Sequence, residues 1–126
     1  MDSQPADDDG LLTAGETEAQ AVLGQLRSIE RATPEFIKEC LTLFIAQTGL
    51  DLADLQAAIE KGDASKVARI AHRLKGSCAT AGAVGMQARC ERIEALARSG
   101  TLDSANSQYL LLVELFHSLS DSLSRQ

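Results

Sequence analysis

Of the two histidines in the chain, His72 has neighbours arranged for chemistry. Val67, Ile70, Ala71, Leu74 and Cys78 recur at helical spacing and define one buried direction. At about 100° per residue, His72 points roughly 150° away from it, into solvent. Ser65, Ala68, Gly76 and Ala79 fall on the same outer surface, with Arg69, Arg73 and Lys75 at its margin. Gly76 is the costly member, because glycine inside a helix is about 0.8–1 kcal/mol less favourable than alanine. One turn beyond His72, it clears space for a second surface to approach the imidazole. The bland alternative is a fraying helix end beside an incidental surface histidine. The combination of histidine, nearby ammonium and small neighbours favours an open nucleophilic site. Imidazole is the side chain whose ordinary titration leaves a neutral, nucleophilic nitrogen near neutral pH. Lys75, three residues on, can reach a group bound to the ring.

The charge pattern fits an anionic reaction partner. Residues 63–82 hold Lys66, Arg69, Arg73 and Lys75 against Asp63, a local excess of positive charge. Elsewhere the balance differs. The formal charge of −6 resides in residues 1–18, which carry six acids and no base, and the remainder has 12 acidic against 12 basic residues. A neutral body with 3% aromatic residues lacks the basic footprint and stacking platforms of a nucleic-acid binder. No stretch approaches the ~20 apolar residues of a membrane span, and the acidic start is not a signal peptide. Cys40, Cys78 and Cys90 are odd in number and contain no C-x-x-C pair. They read as reduced core thiols of a cytoplasmic protein. No metal site is expected, since two separated histidines offer no convergent ligand set. There is no glycine-rich phosphate loop, so the chain is not expected to use ATP itself.

Helices must position these groups. Few aromatics, two prolines and abundant Ala and Leu predict an all-α fold. Residues 1–16 read as a disordered acidic tail or linker and 17–126 as one folded domain. Thr17 and Gln20 form a candidate capping box for a first helix over about 18–31, with Ala19, Val22, Leu23 and Leu26 inward. Thr33-Pro34 starts a second helix, a capping hydroxyl followed by proline where no amide donor is lost. Its stripe Ile37, Leu41, Phe44, Thr48, Leu52, Leu55 and Ile59 keeps phase past Gly49 and ends at Gly62. Asp63 caps the His72 helix and Gly82 terminates it. A fourth helix places Met86, Cys90, Ile93 and Ala97 inward and closes at Ser99-Gly100. Asp103 or Ser104 opens the last, with Tyr109, Leu112, Val113, Phe116, Leu119 and Leu123 inward. Short connections imply antiparallel neighbours. The expectation is an antiparallel up-and-down four-helix bundle with an additional N-terminal helix. His117 reads as a surface residue, and Leu111 and Leu115 as partly exposed.

The run Ala71-His72-Arg73-Leu74-Lys75-Gly76-Ser77-Cys78, followed by Ala81-Gly82-Ala83, closely resembles the signature of histidine-containing phosphotransfer (HPt) domains. Cys90-Glu91-Arg92-Ile93-Glu94 also resembles the family's stretch on the following helix, and the likeness spans roughly residues 18–123. The resemblance implies a phosphocarrier with histidine phosphotransferase activity between response-regulator receiver domains, with a hybrid sensor histidine kinase upstream. It makes His72 the phosphoacceptor and Lys75 the cation that neutralises the phosphoryl group. Gly76, Ala68, Arg69 and Ala79 become receiver-docking positions, and Ser77 and Gly82 structural neighbours. The first helix, the start of the second and the face around His72 would form the docking surface. Many relatives carry Gln where this chain has Glu94, and that Gln hydrogen-bonds the imidazole. A carboxylate there could orient the ring but would also repel a phosphoryl group. The chain would act as a monomer with no cofactor of its own, the Mg²⁺ coming with the receiver. The rival reading is a noncatalytic bundle adaptor that docks a receiver or kinase without accepting phosphate.

Overall fold

Thr13, not Thr17, opens the first helix of the computed structural model, which describes residues 12–125. Its hydroxyl accepts from the Glu16 amide while the Glu16 carboxylate accepts from the Thr13 amide, a reciprocal capping box. Helix α1 therefore runs Ala14–Arg27, one turn earlier than the Thr17/Gln20 pair implied, because an acidic N3 residue serves the cap and the helix dipole together. Residues 14–16 thus belong to the folded body. The rest of the expected acidic tail, up to residue 11, lies outside the described residues. Ala19, Val22 and Leu23 are buried as their spacing requires.

Helix α1 also stops short of the expected end near residue 31, at Arg27, and Arg31 beyond it takes a positive φ of 67°; the later boundaries follow the sequence signals closely. Helix α2 spans Pro34–Glu60 without interruption at Gly49, capped by the Thr33 hydroxyl on the Phe36 amide. Helix α3 spans Ala64–Ala81, capped by Asp63 on the Lys66 amide and closed by Gly82 in the left-handed conformation at φ 86°. An alanine at position 82 would also drive its Cβ to 2.9 Å from Gln25 Cβ, so this stop is needed for both conformation and space. Helix α4 spans Val84–Arg98. Helix α5 spans Leu102–Ser124, with Thr101 rather than Asp103 or Ser104 at its cap position.

Helix α3 packs most extensively on α4, α4 on α5, and α2 closes the ring against α3 and α5. Connections of two or three residues between α2, α3, α4 and α5 force neighbours to run antiparallel. The result is an all-α bundle with α1 laid mainly along α5. Leu55, Leu74, Met86, Ile93, Leu112 and Leu119 fill its centre. Tyr109 donates its hydroxyl to the Leu52 carbonyl at 3.2 Å, fastening α5 to α2, and burial pushes its phenol up. Cys78 and Cys90 are free and fully buried where α3 meets α4, and the Cys78 thiol beside Cys90 raises the latter. No helix among the described residues is long and apolar enough to cross a membrane.

One contact ties α1 to the start of α4. Ala83 offers no side-chain cap to that helix, yet its first amides are satisfied. Glu18, buried in α1, accepts from the Gly85 amide at 2.9 Å and from the Met86 amide at 2.6 Å. A carboxylate 67 residues upstream thereby takes the place of a local cap.

Candidate functional site

Helix α3 presents His72 outward because the apolar stripe on its opposite face is wholly buried: Val67, Ile70, Ala71, Leu74 and Cys78 are each at most 2% exposed. The imidazole side chain is 65% exposed. Ser65, Arg69, Gly76 and Ala79 are exposed around it. A Cβ added at Gly76 would meet nothing within 4 Å, so the fold itself does not require glycine there. Ser77 is half-buried on the flank of the helix, and His117 is exposed on α5 against the Phe116 ring.

Ala68 departs from the expected outer surface. It is buried at 4% exposure, because α4 covers the flank of α3 that lies about 100° from the core direction. The same flank carries Lys75, which is only 26% exposed. Small side chains there let α4 approach closely. Ala68 consequently forms part of the floor beside His72, not a contact surface of its own.

Helix α4 brings Glu94 to this seam. It sits one position past Ile93 in the buried stripe, and its carboxylate is 11% exposed. Glu94 Oε2 lies 3.1 Å from His72 Nδ1, and Oε1 lies 2.9 Å from Lys75 Nζ. Arg98, one turn further along α4, donates to Oε2 through Nε at 3.2 Å and Nη2 at 2.8 Å. The hydrogen bond from Lys75 holds the Glu94 carboxyl down at about 2, from an ordinary 4.5, with Arg98 and His72 adding to the effect against the cost of burial. Glu94 is therefore ionised at neutral pH and can only accept. His72 Nδ1 is then the donor, and in the neutral ring this leaves Nε2 as the nitrogen with a free lone pair.

Lys75 is thus committed to Glu94, although its spacing from His72 alone suggested a free cation. Arg98 is the participant that reading the sequence missed. Its signal was present in the i, i+4 pairing with Glu94 on one helix face. Arg73, at the opposite margin, donates to buried Asp51 of α2 at 3.0 Å and is tied to the scaffold. Two hollows flank the imidazole's helix. A shallow cavity of about 560 Å³ between α3 and α4 is lined by Ser65, Ala68, Arg69, His72 and Arg98. A more apolar groove of about 790 Å³ runs past Gly76 between α1, α2 and α3, lined by Leu26, Ile29, Leu41 and Phe44.

A helical bundle in which an outward histidine is oriented from behind by a carboxylate on the next helix defines a class that comparison with known proteins makes specific. The family model of the Hpt domain matches residues 39–122, and the chain belongs to that family. Over 60 residues it is 40% identical to multistep phosphorelay regulator 1 of Schizosaccharomyces pombe (strain 972 / ATCC 24843). That match covers 48% of this chain and 20% of the relative, so the chain corresponds to about a fifth of that protein's length. No solved structure matches the chain.

Proposed function

We propose that the chain is a phosphorelay carrier. His72 accepts a phosphoryl group from the aspartyl phosphate of one response-regulator receiver and passes it to the aspartate of another. The observation that carries this reading is the outward imidazole whose Nδ1 is held by ionised Glu94, so that Nε2 meets solvent as the nucleophile. The family and the phosphorelay name of the yeast relative support it.

Phosphoryl transfer depends chiefly on positioning and on charge balance, so a fixed nucleophile flanked by cations suffices. The receiver supplies the acyl phosphate and its Mg²⁺. Glu94 orients the ring, and Lys75 offsets charge near it through the shared carboxylate. The exposed face around Gly76, Arg69 and Ala79, with the apolar groove beside Gly76, receives the receiver. A hybrid sensor histidine kinase would feed the first receiver. The intact His-x-x-Lys-Gly run favours the carrier over a noncatalytic adaptor, which would have no use for an open imidazole.

The test is incubation with a phosphorylated receiver. The native chain is expected to gain an acid-labile, alkali-stable phosphate. His72→Gln should keep its helical circular dichroism and gain none, and Gly76→Gln should fold but accept far more slowly. Persistence of the label on His72→Gln would refute the assignment, and normal transfer to Gly76→Gln would refute the close docking.

A further inference from the structure

Glu94 has more partners than orienting a ring requires. One carboxylate oxygen serves Lys75, and the other is shared between His72 Nδ1 and the Arg98 guanidinium, which grips it through two nitrogens. A carboxylate this close to a phosphoryl-accepting ring would repel the incoming group if it stood alone. Here two cations surround one anion, so the set Lys75, Glu94 and Arg98 carries a net positive charge beside the ring. The Arg98 side chain is 62% exposed, so a hydrophobic core does not hold it in place. Its two hydrogen bonds to Glu94 do.

We infer that Arg98 is a positioning residue acting on His72 through Glu94: the guanidinium pins Oε2 in line with Nδ1 and balances its charge. A full carboxylate can then stand where a neutral amide would otherwise be needed. The inference rests on the reading of His72 as phosphoacceptor. In the forward step the Nε2 lone pair forms the P–N bond as the P–O bond to the receiver's aspartate breaks, its electron pair leaving with the carboxylate. The ring keeps its Nδ1 proton throughout and becomes positively charged, facing Glu94. In the reverse step the P–N pair returns to Nε2 and the next aspartate takes the phosphorus. Glu94 therefore favours the protonated phosphoimidazole, the form that leaves as a neutral ring, and Arg98 keeps Glu94 in register for it.

An arginine acting on the phosphoryl group directly would occupy similar space, and a double-mutant cycle separates the two roles. Using the full chain with ¹⁵N-labelled histidine, the Nδ1–H fraction of His72 is read by NMR, and phosphate uptake is timed from a phosphorylated receiver. Arg98→Ala is expected to shift His72 toward the Nε2–H tautomer and to slow uptake about tenfold, with Arg98→Lys recovering part of both. Combined with Glu94→Gln, which leaves no charge to balance, Arg98→Ala should change uptake less than about twofold. An equal loss in both backgrounds would place the guanidinium on the phosphoryl group and overturn the inference. So would an unchanged tautomer in Arg98→Ala. The tautomer is measured without phosphate, so it decides this point even if His72 proves not to be the acceptor.

Discussion

At His72 the two ring nitrogens meet different surroundings, and that asymmetry is what makes the residue useful. Nδ1 is 3.1 Å from a carboxylate whose ionisation is secured by Lys75 and Arg98, while the outer part of the ring meets solvent. The depressed Glu94 pKa has a consequence for stability. A carboxyl held at about 2 in the folded chain and near 4.5 in the ordinary state contributes stability that is complete above 4.5. That contribution is lost as pH falls through the window toward 2. The advantage of the native chain over Glu94→Gln in urea unfolding should therefore be full at pH 6 and shrink progressively below pH 4.5. A difference independent of pH across that window would show that the cations do not hold the carboxylate. At this scale, the outward direction of His72 was legible from helical periodicity alone. The commitment of Lys75 to Glu94 was not, because it depends on how closely α4 lies against α3. Ala68 illustrates the same limit: periodicity grouped it with the outer surface around His72, but it lies on the flank that α4 covers, and its burial is set by that neighbouring helix.

At the scale of the elements, local capping chemistry placed most boundaries. Thr33-Pro34, Asp63, Gly62 and Gly82 each act where their conformational preferences direct. The exceptions are instructive. Two overlapping capping signals compete at the start of α1, and the pair with glutamate at N3 prevails over the pair with glutamine. The start of α4 has no local cap at all, and no spacing rule could have found one contributed from α1. Glu18→Ala would leave the half-buried amide of Gly85 and the buried amide of Met86 without their acceptor and is expected to destabilise the chain by about 2 kcal/mol. Gly85→Ala should also be unfavourable, since its Cβ would stand 3.0 Å from the Glu18 carboxylate. Thermal or urea unfolding checks both, and a Glu18→Ala chain as stable as the native one would show that water serves those amides equally well.

At the scale of the whole molecule, the bundle works as a rigid mount. Its ring of helices buries the opposite face of α3, fixing the direction of His72, and the α3–α4 seam delivers the groups that control the imidazole. The amphipathic stripes and short connections made this architecture readable without coordinates. The charge network at the seam emerged only when two helices were placed side by side. If His72 is the phosphoacceptor, phosphate joins one particular nitrogen of one particular histidine, and ³¹P and ¹⁵N NMR of the chain after exposure to a phosphorylated receiver reads that bond. A phosphorus–nitrogen coupling to Nε2 of His72 alone is expected; coupling to Nδ1, phosphate on His117, or no phosphorus–nitrogen bond at all would overturn the assignment.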